Sequence, residues 1–174
     1  MRKVEVHPYN ENWPHLFAEE AKKLKHIFGD EVIVIHHIGS TSVPGLKAKP
    51  IIDIMPVVRN IDEVDKFNHE MEAIGYEPKG ENGIPKRRYF RKGGDMRTHH
   101  VHIFQVGSDD IDRHIAFRDY LRMHETDKQR YGDLKEKLSQ QFPLDMESYI
   151  NGKDQLVKEI EEKALVWYRE NRNN

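Results

Sequence analysis

The sequence predicts an α/β fold, an α+β arrangement in which helices flank a mixed sheet and a helical C-terminal part follows. Two nearly continuous apolar runs, Glu31–Ile38 and Pro50–Val58, have the composition of central strands that are covered on both faces. Apolar residues around these runs recur at helical spacing, and from Ser108 onward the pattern is helical throughout. We therefore treat residues 1–174 as one domain, with an α/β core over about 1–107 and helices over about 108–174 packed on it.

Local signals define each element in turn. A short edge strand is predicted at Val4–Val6. A helix begins near Asn12, with Pro14 in its first turn, and Gly29 ends it. After the two strands, a helix over about 62–74 is predicted from its capping residues and the glycine that follows it. The remaining elements are a strand near Tyr76, a hairpin of 87–92 and 98–106, and helices over 108–123, over 127–142 and from Ser148 onward.

The composition excludes several classes of protein. Cysteine is absent, which rules out disulfides and thiolate chemistry. Lys and Arg total 28 against 30 Asp and Glu, and the resulting net charge of −2 argues against general nucleic-acid binding. The N-terminus lacks the apolar segment of a signal peptide, and no run is long enough to cross a bilayer. We therefore expect a cytoplasmic protein without a membrane partner.

The stretch Ile38–Val58 concentrates the candidate chemistry at its start. Gly39 permits close approach of the backbone to a ligand. The residues after it, Ser40, Thr41 and Ser42, offer hydroxyl groups and backbone N–H groups. Such a turn suits a phosphate group, and a purely structural tight turn is the alternative.

Asp53 is the only acidic residue within the apolar run that follows this turn. A carboxylate among apolar strand residues is costly to bury unless a metal or a cation compensates it. A catalytic or metal-binding Asp53 is one interpretation. The other is a structural ion pair with Lys47 or Lys49.

His100 and His102 fall on one face of a strand because side chains alternate with a period of two, whereas His99 points the other way. Two adjacent imidazoles suit a metal ion, or a phosphate if they are protonated. A polar strand face in contact with solvent explains the same spacing, so both interpretations stay open.

Basic residues supply candidate contacts to an anion. Arg118 and Arg122 lie one helical turn apart and share a face, and Arg88 and Lys153 are further candidates. Surface ion pairs are the ordinary alternative for all four. The sequence has no Walker loop, dinucleotide-binding glycine motif or Ser-His-Asp order, which removes the commonest hydrolase and dinucleotide interpretations.

Several short sequence motifs, spread over nearly the whole chain, together carry a resemblance to a known family. They are YxxxW at 9–13, HIGSTSVPGLKAKPIIDI at 37–54, RYF at 88–90, HHVH at 99–102, FRDYLR at 117–122, YxxLK at 131–135 and YxxxK at 149–153. In these blocks the chain resembles the GrpB family, which is placed within the nucleotidyltransferase superfamily. The resemblance implies a nucleotidyltransferase-like α/β fold with a helical C-terminal part.

The resemblance also implies a site. In that superfamily a Gly-Ser turn holds a nucleoside triphosphate, and carboxylates on two strands hold two Mg²⁺ ions. Gly39, Ser40 and Asp53 match the turn and the first carboxylate, whereas Met55 stands where the second is expected. Instead of a third carboxylate the chain has the two histidines. One carboxylate with two imidazoles suits a single Mn²⁺ or Zn²⁺ ion better than two Mg²⁺ ions.

Three functions follow from these residues. In the first, Asp53 is catalytic and a divalent ion (Mg²⁺, Mn²⁺ or Zn²⁺) lies at Asp53 and the histidines. The chain then transfers a nucleotidyl group to a small acceptor, and the turn residues bind phosphate together with Lys49, Arg88, Arg118 and Lys153. In the second, the chain is a non-catalytic module that binds a nucleotide or anion, or assists folding of a protein partner, as related domains fused behind dephospho-CoA kinase do. The third is metal-dependent hydrolysis at the same cluster.

Overall fold

The computed structural model describes residues 2–172. Five α-helices are present in this part of the chain: α1 (Trp13–Phe28), α2 (Asn68–Ala73), α3 (Asp109–Met123), α4 (Glu125–Gln141) and α5 (Met146–Arg172). Five strands accompany them: β1 (Val32–Ile38), β2 (Ile52–Val58), β3 (Tyr76–Pro78), β4 (Arg88–Lys92) and β5 (His99–Gln105). The α/β prediction is confirmed, and the hairpin and the three final helices lie within a few residues of their predicted positions.

The strands form one mixed sheet in the order β1-β2-β5-β4-β3. β2 and β5 run parallel to each other, and the other neighbouring pairs are antiparallel. Parallel neighbours need a long connection, and the chain between β2 and β5 supplies it with α2, β3 and β4. The parallel pair lies at the centre of the sheet, where Ile54 of β2 and Val101 of β5 are completely buried.

Three of the predictions were wrong in detail. β1 is an edge strand, with Ile33 46% and Val34 40% exposed, because its apolar run has a partner on one side only. Val4–Val6 does not form a strand, and only an isolated bridge joins His7 to Ala48. The second helix begins as a 3₁₀ helix, Ile61–Phe67, and becomes α-helical only in α2.

The chain folds into two compact units. The sheet unit consists of Asn12–Ile38 and Ile51–Ile111 and holds the whole sheet with α1 and α2. The helical unit consists of Gly39–Pro50 together with the described parts of Met1–Glu11 and Asp112–Asn174. Two segments that precede β2 in the sequence therefore belong with the C-terminal helices.

Each unit has its own buried residues. In the sheet unit α1 packs on β1 and β2, and the fully buried side chains include Leu24, Met71 and Phe104. The main core of the helical unit joins residues of the Gly39–Pro50 segment to α3, α4 and α5: Val43, Leu46, Ala116, Tyr120, Leu121, Tyr131, Ile160 and Ala164. Among residues 2–172, no helix combines the length and the apolar character that crossing a bilayer requires.

Candidate functional site

The parallel pairing of β2 and β5 brings three polar side chains together in the sheet unit. Asp53 of β2 lies opposite His100 of β5, and His102 follows two residues later on the same face. The three side chains can offer ligand atoms that all lie within 4.8 Å of one another. The structure therefore assembles the three residues that the sequence predicts as metal ligands.

Both histidines contact the same carboxylate oxygen. The Nε2 atom of His102 lies 3.1 Å from Oδ1 of Asp53, and Nδ1 of His100 lies 3.5 Å from it. Burial by itself would raise the pKa of Asp53. The hydrogen bonds and charges of the two histidines outweigh that effect and hold the pKa of this carboxyl far below its usual range. Asp53 is therefore an anion over the whole working range of pH, as a metal ligand must be.

The donor set fits a bound ion. Nε2 of His100 is buried and has no hydrogen-bond partner among the described residues, while Nδ1 faces the Asp53 carboxylate. The nitrogen that faces Asp53 is therefore the one that could share an ion with this carboxylate, whereas a metal on Nε2 would leave Asp53 outside its ligand shell, as the residue that orients the ring. One oxygen and two nitrogen donors suit a single transition-metal ion. Met55 does not add a ligand, because its side chain is completely buried in the sheet.

Arg87 lies against the ring of the second histidine. Its Nη1 atom lies 3.4 Å from Nδ1 of His102. A guanidinium can only donate, so Nδ1 accepts, and a neutral His102 then carries its hydrogen on Nε2 and donates it to Asp53. With that hydrogen in place, Nε2 has no lone pair for a metal. His102 becomes a ligand only when its ring turns over or Arg87 moves away.

The segment before β4 holds Arg87 in this position. The guanidinium donates to the carbonyl oxygens of Glu81 and Asn82, at 3.1 and 2.9 Å, and lies 4.8 Å from the centre of the Tyr89 ring. Asn82 and Lys86 have positive φ values of 49° and 65°, a conformation that costs energy for residues other than glycine. Arg87 is thus a buried cation on a strained loop beside the candidate metal ligands.

On the other face of β5, His99 takes part in a separate cluster around Glu20. The buried carboxylate of Glu20 accepts hydrogen bonds from the hydroxyl of Tyr76 and from Nζ of Lys92, both at 2.8 Å. Nε2 of His99 lies 4.0 Å from the same carboxylate. The predicted opposite orientation of His99 is confirmed, and this residue is part of an internal charge cluster of the sheet unit.

The predicted phosphate turn lies in the helical unit. Gly39 has φ +72° and ψ −174°, a conformation that strongly favours glycine, and Ser40–Ser42 forms a single 3₁₀ turn. Thr41 and Ser42 are buried, so Gly39 and Ser40 are the half-exposed residues of the turn. The hydroxyl of Ser42 donates to the carbonyl of Gly39, which fixes the turn internally.

Two cations from the helices contact this turn. Nζ of Lys135 in α4 donates to Oγ of Ser40 at 2.9 Å, and Arg122 in α3 donates to the carbonyl of Ser42 through Nε and Nη2, at 3.0 and 2.8 Å. Lys135 is only 3% exposed. Its placement was not predicted from the sequence. A signal was present, because Tyr131 precedes Lys135 by four positions on the same helix, and Nζ of Lys135 lies 4.3 Å from the centre of the Tyr131 ring.

The other predicted anion ligands make contacts of their own. Arg88 forms a bidentate ion pair with Asp65 in the sheet unit, and Arg118 forms an ion pair with Asp119. Lys49 and Lys153 lie on the ring of Tyr149, at 4.5 and 5.6 Å from its centre. Lys47, one suggested partner of Asp53, pairs instead with Glu136 and Asp133 of α4. Phosphate binding by Arg88, Arg118, Lys49 and Lys153 stays a prediction.

Comparison with solved structures first defines the class of fold. The Cid1 poly(U) polymerase bound to MgATP superimposes with a TM-score of 0.53 over 76% of this chain and 44% of its own, at 13% identity. The crystal structure of conserved protein GrpB from Enterococcus faecalis superimposes with a TM-score of 0.91 over 94% of this chain and 99% of its own, at 47% identity. The fold is nucleotidyltransferase-like.

Sequence comparison then gives the family. The family model described as GrpB protein matches residues 3–163, so the chain belongs to the GrpB family. It is 53% identical to UPF0157 protein YqkA of Bacillus subtilis over 99% of its own length but only 50% of YqkA, so it spans half of that relative. It is also 22% identical to a dephospho-CoA kinase of Mycolicibacterium paratuberculosis over 94% of this chain and 46% of the kinase.

Proposed function

We propose that this chain binds a nucleoside triphosphate with one divalent metal ion and transfers a nucleotidyl group to a small acceptor. The observation that carries the proposal is the convergence of Asp53, His100 and His102 on the central parallel strands of a nucleotidyltransferase-like fold. The structural neighbour Cid1 is a polymerase bound to MgATP, which supports a nucleotide with a metal as the ligand class.

In this proposal Asp53 and His100 hold the ion. His102 joins them after its ring has turned or Arg87 has moved. A bound divalent ion neutralises charge on a phosphate and orients it for in-line displacement. An acceptor hydroxyl forms a bond to the α-phosphorus, pyrophosphate leaves with the electrons of the broken P–O bond, and the hydroxyl proton goes to a base. Within the helical unit, taken by itself, the Gly39–Ser42 turn with Lys135 and Arg122 beside it offers groups that suit a phosphate.

A thermal-shift panel of the four nucleoside triphosphates crossed with Mg²⁺, Mn²⁺ and Zn²⁺ tests the binding step. We expect one triphosphate to raise the melting temperature only with metal, and Asp53→Asn to lose this coupling while it keeps the fold. Asp154→Asn, a change at an exposed ion pair on α5, is the matched control and keeps it. If no triphosphate gives a metal-dependent shift in wild-type protein, the proposal is wrong.

The second candidate is a module that binds a nucleotide or another anion, or a protein partner, without chemistry. The complete burial of Met55 favours it, because no second carboxylate can join Asp53 from that position. The relationship to a region of dephospho-CoA kinases supports a role beside another protein. Mass spectrometry separates the two candidates: pyrophosphate and a nucleotidylated acceptor appear if the chain is a transferase, and intact triphosphate is recovered if it is a binding module.

A further inference from the structure

A cavity in the helical unit has no part in the proposed function. It is a depression of about 440 Å³ that is largely open to solvent. Residues at the end of α3 and along the C-terminal half of α5 line it: Tyr120, His124, Glu162, Lys163, Val166, Trp167 and Glu170. All of them belong to the helical unit.

Three aromatic rings form one side of this cavity. The rings of Tyr120 and His124 stack with their centres 3.9 Å apart, and the ring of Trp167 is nearly perpendicular to both, with its centre 5.9 and 5.3 Å from theirs. The cluster is held by polar contacts. The Tyr120 hydroxyl donates to Asp127, and Nδ1 of His124 lies 2.7 Å from the carbonyl oxygen of Tyr120. The aromatic wall is therefore preorganised by contacts that do not involve a ligand.

The charges around the aromatic wall are unbalanced. Lys163, the cation at the cavity, lies 3.6 Å from the carboxylate of Asp127 and 3.1 Å from that of Glu159, so its charge is compensated. Glu162 and Glu170, both exposed, take part in no ion pair within the described residues. The cavity thus combines aromatic rings with two carboxylates that lack a cation.

We infer that this cavity binds a small organic cation, with a quaternary or protonated amine against the aromatic rings and the two glutamates at its rim. A ring face attracts a cation through its quadrupole, and a nearby carboxylate adds attraction. An anion would be repelled by Glu162 and Glu170. A neutral apolar ligand would gain nothing from either carboxylate. This inference does not depend on the proposed function, because it uses neither the metal cluster nor the Gly39–Ser42 turn.

Choline and its neutral isostere 3,3-dimethylbutan-1-ol are the probes. The chain has two tryptophans, so the indole N–H signals in a ¹H–¹⁵N spectrum are assigned with Trp167→Phe. We expect choline to shift the Trp167 indole signal in a saturable way and to bind about threefold to fivefold more tightly than the isostere. If choline gives no saturable shift, or if both probes bind equally, the inference is wrong.

Substitution of the rim separates charge recognition from apolar binding. The double variant Glu162→Gln/Glu170→Gln changes exposed side chains only and so keeps the fold. It should weaken choline binding and leave isostere binding unchanged, and the part of the preference for choline that comes from the ring faces should remain. Asp154→Asn, elsewhere on α5, should leave both affinities as they are. Unchanged choline binding in the double variant would refute a role for the carboxylates, and with it the inference of a cation site.

Discussion

The contact between Arg87 and His102 predicts that the wild-type protein restrains its own metal binding. Arg87→Met removes the guanidinium that donates to Nδ1 of His102, while the unbranched side chain still fills part of the space beside Tyr89. The hydrogen of His102 is then free to move to Nδ1, and Nε2 gains a lone pair for a metal. Loss of the nearby positive charge acts in the same direction. We therefore expect the variant to bind Zn²⁺ and Mn²⁺ more tightly than wild-type protein.

The expected size of this effect follows from the contact. A hydrogen bond to a charged group contributes about 1.5–3 kcal/mol. Because the Nη1–Nδ1 distance is 3.4 Å, at the long end, the lower value applies. About 1.5 kcal/mol corresponds to a roughly tenfold lower dissociation constant. The same substitution leaves the carbonyls of Glu81 and Asn82 without this donor, so the free energy of unfolding should fall by about 1–3 kcal/mol.

Isothermal titration calorimetry with Zn²⁺ and Mn²⁺ measures the affinity, and urea unfolding measures the stability. The ¹⁵N shifts of the imidazole rings report the tautomer directly, with the hydrogen on Nε2 of His102 expected in wild-type protein. Arg59→Met is the matched control, because the exposed Arg59 lies just beyond the end of β2 that is far from Asp53 and donates to the carbonyl oxygen of Asp30. A folded Arg87→Met variant with unchanged or weaker metal binding refutes the reasoning, as does a hydrogen on Nδ1 in wild-type protein.

Three further predictions concern stability and the turn. Burial raises the pKa of Glu20, but hydrogen bonds from Lys92 and a tyrosine outweigh it and leave the pKa below its ordinary value of 4.5. The ionised Glu20 therefore stabilises the fold at pH values above 4.5, and this contribution is lost as the pH falls through the lowered pKa. The difference in the free energy of unfolding in urea between wild type and Glu20→Gln should shrink from pH 7 to acidic pH. A difference that stays constant contradicts this prediction. Gly152→Ala places Cβ 2.6 Å from Cδ2 of the buried Leu138. The cost of overpacking, about 1–3 kcal/mol, then outweighs the gain of about 1 kcal/mol in helix propensity. We therefore expect the variant to melt at a lower temperature than wild-type protein, and a higher melting temperature would disprove this prediction. Lys135→Met should abolish triphosphate binding in the thermal-shift panel without loss of the fold, and retained binding would remove this lysine from the site.

Local signals in the sequence were sufficient for much of the fold. The side chain of Asn60, one of the capping residues from which the second helix is predicted, caps the 3₁₀ helix by accepting from the N–H of Asp62. The hairpin of β4 and β5 forms around its glycines, and the period of two places His100 and His102 on the same face. These features depend on residues close together in the chain. That is why composition and spacing could predict them.

The partners of each strand are not encoded locally. The same kind of apolar run became an edge strand in β1 and a central strand in β2, because the number of neighbours is decided by the assembled sheet. In the same way, no spacing rule predicts that Lys135, 95 positions after Ser40, donates to its hydroxyl. Burial of a lysine amine becomes acceptable only when the fold supplies such acceptors.

By itself, the sequence determined the family, the class of fold and the identity of the candidate ligands, because the family blocks and the strand periodicity are properties of consecutive residues. Only the tertiary structure decided that Asp53 lies opposite His100, since this depends on parallel pairing of strands that are far apart in the chain. It also decided that Arg87 occupies Nδ1 of His102. Whether the cluster is open to a metal depends on that contact, which forms only when the loop before β4 folds against β5.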